Sequence, residues 1–107
     1  TFSAAAAEVL KRFTGSDRFS NKVTIAAGSS RIEPGAVPAA DVTLHWPTFS
    51  AAADQAGLSR RYGGIHFAEG DLRGREMGRA VGLQAWMKAR KYFNRHEHCG
   101  RDCDDDE

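Results

Sequence analysis

No run of about twenty apolar residues occurs in this 107-residue chain, so nothing in it reads as a membrane span. No internal repeat occurs, which argues against a solenoid or a propeller. No secretory signal is visible. Thr1 is an unusual first residue, and a processed or truncated N-terminus with any targeting segment already gone is the simplest expectation. Cysteine is scarce: Cys99 and Cys103 are the only two, and both lie near the end. They are read as a local disulfide or as two free thiols. His96, His98, Cys99 and Cys103 also crowd together, but their spacing matches no standard zinc pattern. A disulfide implies an oxidising compartment, so a secreted or periplasmic location is favoured.

What is present is an ordinary globular mixture, 41% hydrophobic and 27% charged, enough for one domain at most with a modest core. The net charge of +1 hides an asymmetry. From His96 onward six acids face one base, and the body before them carries fourteen bases and eight acids. A basic body suits an anionic ligand or a solvated surface. Nucleic acid is not expected, because the bases are scattered and no recognition helix, zinc finger or aromatic stacking motif accompanies them. Residues 1–95 are read as one unit and 96–107 as an acidic, disordered tail.

Pattern and punctuation predict a mainly α fold with a short β-hairpin between helices. Residues 3–13 read as a helix capped by Ser3, with Val9, Leu10 and Phe13 as its apolar face and Gly15 as its stop. Residues 22–27 and 41–46 are β-prone and expected to pair, and Pro47 ends the second strand. The Gly-, Ser- and Pro-rich stretch 28–40 reads as an ordered loop. Thr48 caps a helix over 49–56 that Gly57 closes, and Asp71 caps a long helix to about Phe93. Gly74, Gly78 and Gly82 recur every four residues along that helix. Each costs about 1 kcal/mol against alanine, so the row demands a closely approaching partner helix, expected to lie outside this chain.

The chemistry concentrates in Ser59-Arg60-Arg61-Tyr62-Gly63-Gly64-Ile65-His66-Phe67. An arginine supplies a planar fork of donors for a tetrahedral oxyanion. A histidine can be a nucleophile, a proton carrier or a metal ligand. The Gly-Gly pair between them is expected to fold closely round a ligand and expose amides. Taken one by one, Arg60 is as readily a surface ion-pair partner and His66 a backbone-bonded residue, and spacing alone leaves the two readings even. Trp46, Phe49, Tyr62 and Phe67 are read as core packing ahead of pocket lining.

Ser59-Arg60, five residues, then His66 resembles the third signature of the type 2 phosphatidic acid phosphatase superfamily. The fuller string Leu58-Ser-Arg-Arg-Tyr-Gly-Gly-Ile-His-Phe67 is more similar to its vanadium-dependent haloperoxidase branch. Thr1-Phe-Ser-Ala-Ala-Ala-Ala7, Gly28-Ser-Ser-Arg-Ile-Glu-Pro-Gly35 and Trp46-Pro-Thr-Phe-Ser50 extend the likeness over roughly residues 1–94. The resemblance implies a helical bundle of the haloperoxidase and acid phosphatase type, with vanadate as cofactor and hydrogen peroxide and halide as substrates. Arg60 and Ser59 would belong to the oxyanion site, and His66 would bind vanadium. The phosphatase alternative makes His66 the nucleophile on phosphorus, and a non-catalytic interaction piece is the third reading.

Two departures stand out. The superfamily usually carries an aspartate four positions after the histidine, and position 70 is glycine. Asp71 is read first as a helix cap and second as the substitute. The family also needs a lysine, an arginine and a Ser-Gly-His element from upstream, which this chain lacks and His45 does not replace. They are expected from an upstream segment or a second chain, and a second copy of this chain is a further candidate partner.

Overall fold

The computed structural model describes residues 1–99, with side chains to residue 94. Helix α1 (Phe2–Thr14) starts earlier than expected: Thr1 stands at the N-cap without a side-chain bond, and Ser3 lies inside the helix. Gly15 ends it in the left-handed conformation, as its position predicts. Strand β1 (Arg18–Ile25) and strand β2 (Val42–Thr48) pair antiparallel, with Val23 opposite Leu44 and Ile25 opposite Val42. Pro47 does not end β2. It falls where the ladder is irregular, between the Arg18–Thr48 and Asn21–Trp46 pairs, so its missing N–H is not needed. The loop between the strands is ordered by the Gly28 N–H on the Pro38 carbonyl (2.8 Å) and the Ala27 N–H on the Asp41 carboxylate (2.8 Å).

Helix α2 (Phe49–Tyr62) begins at the predicted cap, where the Thr48 hydroxyl accepts from the Ala51 N–H at 2.9 Å. Asp17 ties the hairpin to this end. Its carbonyl accepts from Phe49 (3.0 Å) and its carboxylate from Ser50 (3.1 Å). Phe19 and Phe49 stack beside it, ring centroids 4.9 Å apart. Gly57 is not the helix stop; α2 runs five residues further. Helix α3 (Ala68–Cys99) follows. Residues 100–107, and with them the end of the tail and Cys103, lie outside the described residues. The side chains of His96, His98 and Cys99 do too.

The glycine row finds its partner within the chain, contrary to expectation. Gly74, Gly78 and Gly82 lie against α1. A methyl on Gly74 would come 3.0 Å from the Thr1 hydroxyl, and one on Gly78 would overlap the Thr1 carbonyl and reach 2.9 Å from the Ala4 methyl. A methyl on Gly82 would come 2.8 Å from Glu8 Cβ. The matching face of α1 is therefore small: Ala4 and Ala7 are buried, while Leu10 and Phe13 of the expected apolar face stay exposed. Phe13 meets Trp86 edge-on at 6.3 Å. Glu8, buried on this seam, is neutralised by Arg12 (2.8 Å) and Lys11 (3.3 Å) one turn on. Burial pushes its carboxyl up, but those two cations outweigh it and hold it below the usual value.

Large side chains contribute little core among the described residues. The buried apolar residues are Ala4, Ala7 and Ala53, and the molecule extends 76 × 30 × 22 Å. No helix among the described residues is long and apolar enough to cross a membrane.

Candidate oxyanion site

Arg60 sits on the last turn of α2, not on a loop. Two backbone bonds stop that helix: the Gly64 N–H donates to the Arg61 carbonyl (3.0 Å) and the Ile65 N–H to the Arg60 carbonyl (3.2 Å). Gly64 adopts φ 71°, which a residue without Cβ tolerates. This is the paired-bond helix stop of the Schellman type. The Gly63 N–H is also used, donating to Ser59 at 3.0 Å. The expectation that the Gly-Gly pair presents its amides to a ligand is therefore corrected. Those amides close the helix, and the glycines serve to reverse the chain.

The reversal brings His66 back beside the last turn of α2. Ser59, Arg60 and His66 then line one cavity of about 440 Å³, together with Gly57, Asp71 and Arg75, and with residues 1–4 of α1 on the other side. The Ser59 hydroxyl donates to the Ala56 carbonyl (2.8 Å). Both Arg60 and His66 are exposed, and among the described residues neither side chain is held by a hydrogen bond or an ion pair. The guanidinium of Arg60 and the ring of His66 are therefore open to a ligand.

Asp71 is not the helix cap. It lies in the first turn of a helix that begins three residues earlier, and its own N–H already donates to Phe67 (3.0 Å). Its carboxylate, only 5% exposed, is gripped by Arg75, with Nε 3.0 Å from Oδ1 and Nη2 on Oδ2. Arg61 approaches at 3.9 Å. The Arg75 guanidinium holds the Asp71 carboxyl below its usual value; burial opposes this, and the positive charge of Arg61 reinforces it. Arg75 completes its fork on Asp54 of α2 at 3.2 Å.

Sequence reasoning missed Gly57, Asp54 and Arg75. The i,i+4 spacing of Asp71 and Arg75 on a helix was the available signal. The aromatic residues divide. Phe49 packs on Phe19 as expected, but Tyr62 and Phe67 are 82% and 90% exposed and pack into no core. Trp46, fixed by its indole N–H on Gln55, lines a neighbouring apolar cleft with Leu44, Leu58 and Tyr62. No group of three or more His, Cys, Asp or Glu side chains among the described residues is placed to hold a metal ion.

Residues 1–95 match the sequence family described as VCPO second helical-bundle domain. No curated protein matches the chain. Solved structures similar to it include the holo-type and the apo-type bacterial vanadium-dependent chloroperoxidase, each 28% identical. Their TM-scores are 0.78 and 0.79, over 83% of this chain. The chain spans 19% of the length of each.

Proposed function

The chain belongs to the family of the VCPO second helical-bundle domain, and from that premise we propose that it contributes the Arg60–His66 half of a vanadate site in a vanadium-dependent haloperoxidase. One observation carries this reading: the helix stop at Gly64 turns Arg60 and His66 into a single cavity with their polar groups unengaged.

The donor set suits a small oxyanion. The Arg60 guanidinium offers a fork of N–H donors to negative oxygens, and a charge-assisted bond of this kind contributes about 1.5–3 kcal/mol. His66 offers a ring nitrogen as ligand, which requires the neutral imidazole and a holder for its other N–H. Vanadate bound there would act as a Lewis acid toward hydrogen peroxide, with halide as the species oxidised. Arg60 would neutralise charge on the anion, and the buried Asp71 carboxylate in the cavity wall would balance the cations gathered around it. The further lysine, arginine and Ser-Gly-His elements would come from an upstream segment or a second chain.

The test is vanadate affinity and peroxide-dependent halide oxidation in the purified protein, alone and with the complementary elements supplied. Arg60→Ala should weaken vanadate binding by about 10- to 100-fold, and His66→Ala should abolish halide oxidation. Equal binding and turnover in both variants would sink the proposal. Vanadate-inhibited hydrolysis of a phosphomonoester without halide oxidation would replace it with the phosphatase reading.

A further inference from the structure

We infer that Arg75 is a positioning residue for the oxyanion cavity, acting as a two-sided clamp between the helices that carry its two halves. The inference rests on the reading of that cavity as an anion site.

Arg60 belongs to α2, whereas His66 belongs to the segment that enters α3. Their relative placement therefore depends on how α2 sits on α3. That crossing is made by few residues. Asp54, Gly57 and Arg61 share one face of α2 at i, i+3 and i+7, and Asp71 and Arg75 are one turn apart on α3. Gly57 is what allows the approach. A methyl there would overlap the Asp71 carboxylate and stand 2.8 Å from Arg75 Nε. On either side of that bare glycine the charges alternate: Asp54 to Arg75 at 3.2 Å, Arg75 to Asp71, and Asp71 to Arg61 at 3.9 Å.

Arg75 lines the cavity, but its Nε, Nη1 and Nη2 are all directed at carboxylates. It therefore orders the site and does not bind the anion. A planar fork can grip Asp71 with one edge and Asp54 with the other, which a lysine ammonium cannot reproduce.

Asp54 separates this role from simple charge. It does not line the cavity. Removing its negative charge should tighten anion binding if only long-range electrostatics matters, and weaken it if the clamp matters. The experiment titrates inorganic phosphate into the full chain and into Arg75→Lys, Asp54→Asn and Asp54→Glu. It also follows hydrogen–deuterium exchange without ligand in peptides covering residues 58–68.

Arg75→Lys should weaken phosphate by about tenfold. Asp54→Asn should weaken it by up to about fivefold, as befits a half-exposed pair. Asp54→Glu should restore it. Exchange at 58–68 should accelerate in the first two and not in the third. Unchanged affinity in Arg75→Lys with tighter binding in Asp54→Asn overturns the clamp. If the unsubstituted protein and Arg60→Ala both fail to bind phosphate, the anion site itself falls. The ligand-free exchange then decides the clamp alone, and unchanged exchange in Arg75→Lys and Asp54→Asn refutes it.

Discussion

The N–H of Ile65 donates to the carbonyl of Arg60 at 3.2 Å, so the bond that ends α2 also joins the two halves of the candidate site. Arg60 precedes the reversal and His66 follows it by one residue beyond Ile65. The helix-stop motif thus shapes the site together with the α2–α3 crossing, and the residues that shape it differ from those that would touch a ligand.

Gly64 should be the sensitive member of the glycine pair. It holds φ 71°, where an alanine costs about 1–2 kcal/mol, whereas Gly63 has an ordinary helical φ of −72° with room for a methyl at 3.6 Å. Gly64→Ala should lower stability by that amount in denaturant titration and reduce vanadate affinity. Gly63→Ala should leave both within about 0.5 kcal/mol of the starting protein.

The seam between α1 and α3 should reject added volume. Gly78→Ala drives a methyl into Thr1 and Ala4 and should destabilise by about 1–3 kcal/mol despite the better helix propensity of alanine. Gly70 lies in the same helix with nothing within 4 Å of a new methyl. Gly70→Ala should stabilise by about 0.5–1 kcal/mol. Thermal or chemical unfolding of the pair checks the contrast.

Acid should loosen the α2–α3 crossing. The folded Asp71 carboxyl sits below its usual value, so its contribution is fully present above an ordinary aspartate pKa of about 3.9. That contribution is lost as pH falls from there through the lower folded value. Glu8 acts in the same direction on the α1–α3 seam. Asp71→Asn should melt lower at neutral pH and lose less as pH falls below about 4, as read from melting temperature against pH.

The exposed aromatic residues should favour association. Phe2, Tyr62 and Phe67 are each more than four-fifths exposed. Phe67→Ser and Tyr62→Ser should reduce binding of a hydrophobic dye and raise solubility with a change in stability within about 0.5 kcal/mol. Sedimentation and dye fluorescence measure both effects.

The hairpin, the first helix and the Thr48 cap were legible because each is a local pattern: strict alternation, an alanine run before Gly15, and a hydroxyl before an apolar run. Gly57 was misread because glycine punctuates helices locally, while its actual service is to admit Asp71 and Arg75 from α3. Asp71 was misread for the related reason that helix starts carry acids both as caps and inside the first turn. The glycine row announced a close partner, but nothing short-range said that α1 supplies it. Arg60 and His66 were picked out by residue type and by resemblance, and their meeting in one cavity follows from the bonds of Gly64 and Ile65.

The seam of Ala4, Gly74, Gly78 and Gly82 also predicts where this sequence tolerates variation. Along it the constraint is a ceiling on side-chain size, because backbone and methyl groups already touch. Polarity matters less there, as the buried and ion-paired Glu8 demonstrates. In a saturation library, serine should survive at Ala4 where leucine fails. Leu10, exposed on the same helix, should accept polar replacements freely. Hydrophobicity would then be a poor guide to which positions of this domain drift and which stay fixed, and residue volume a good one.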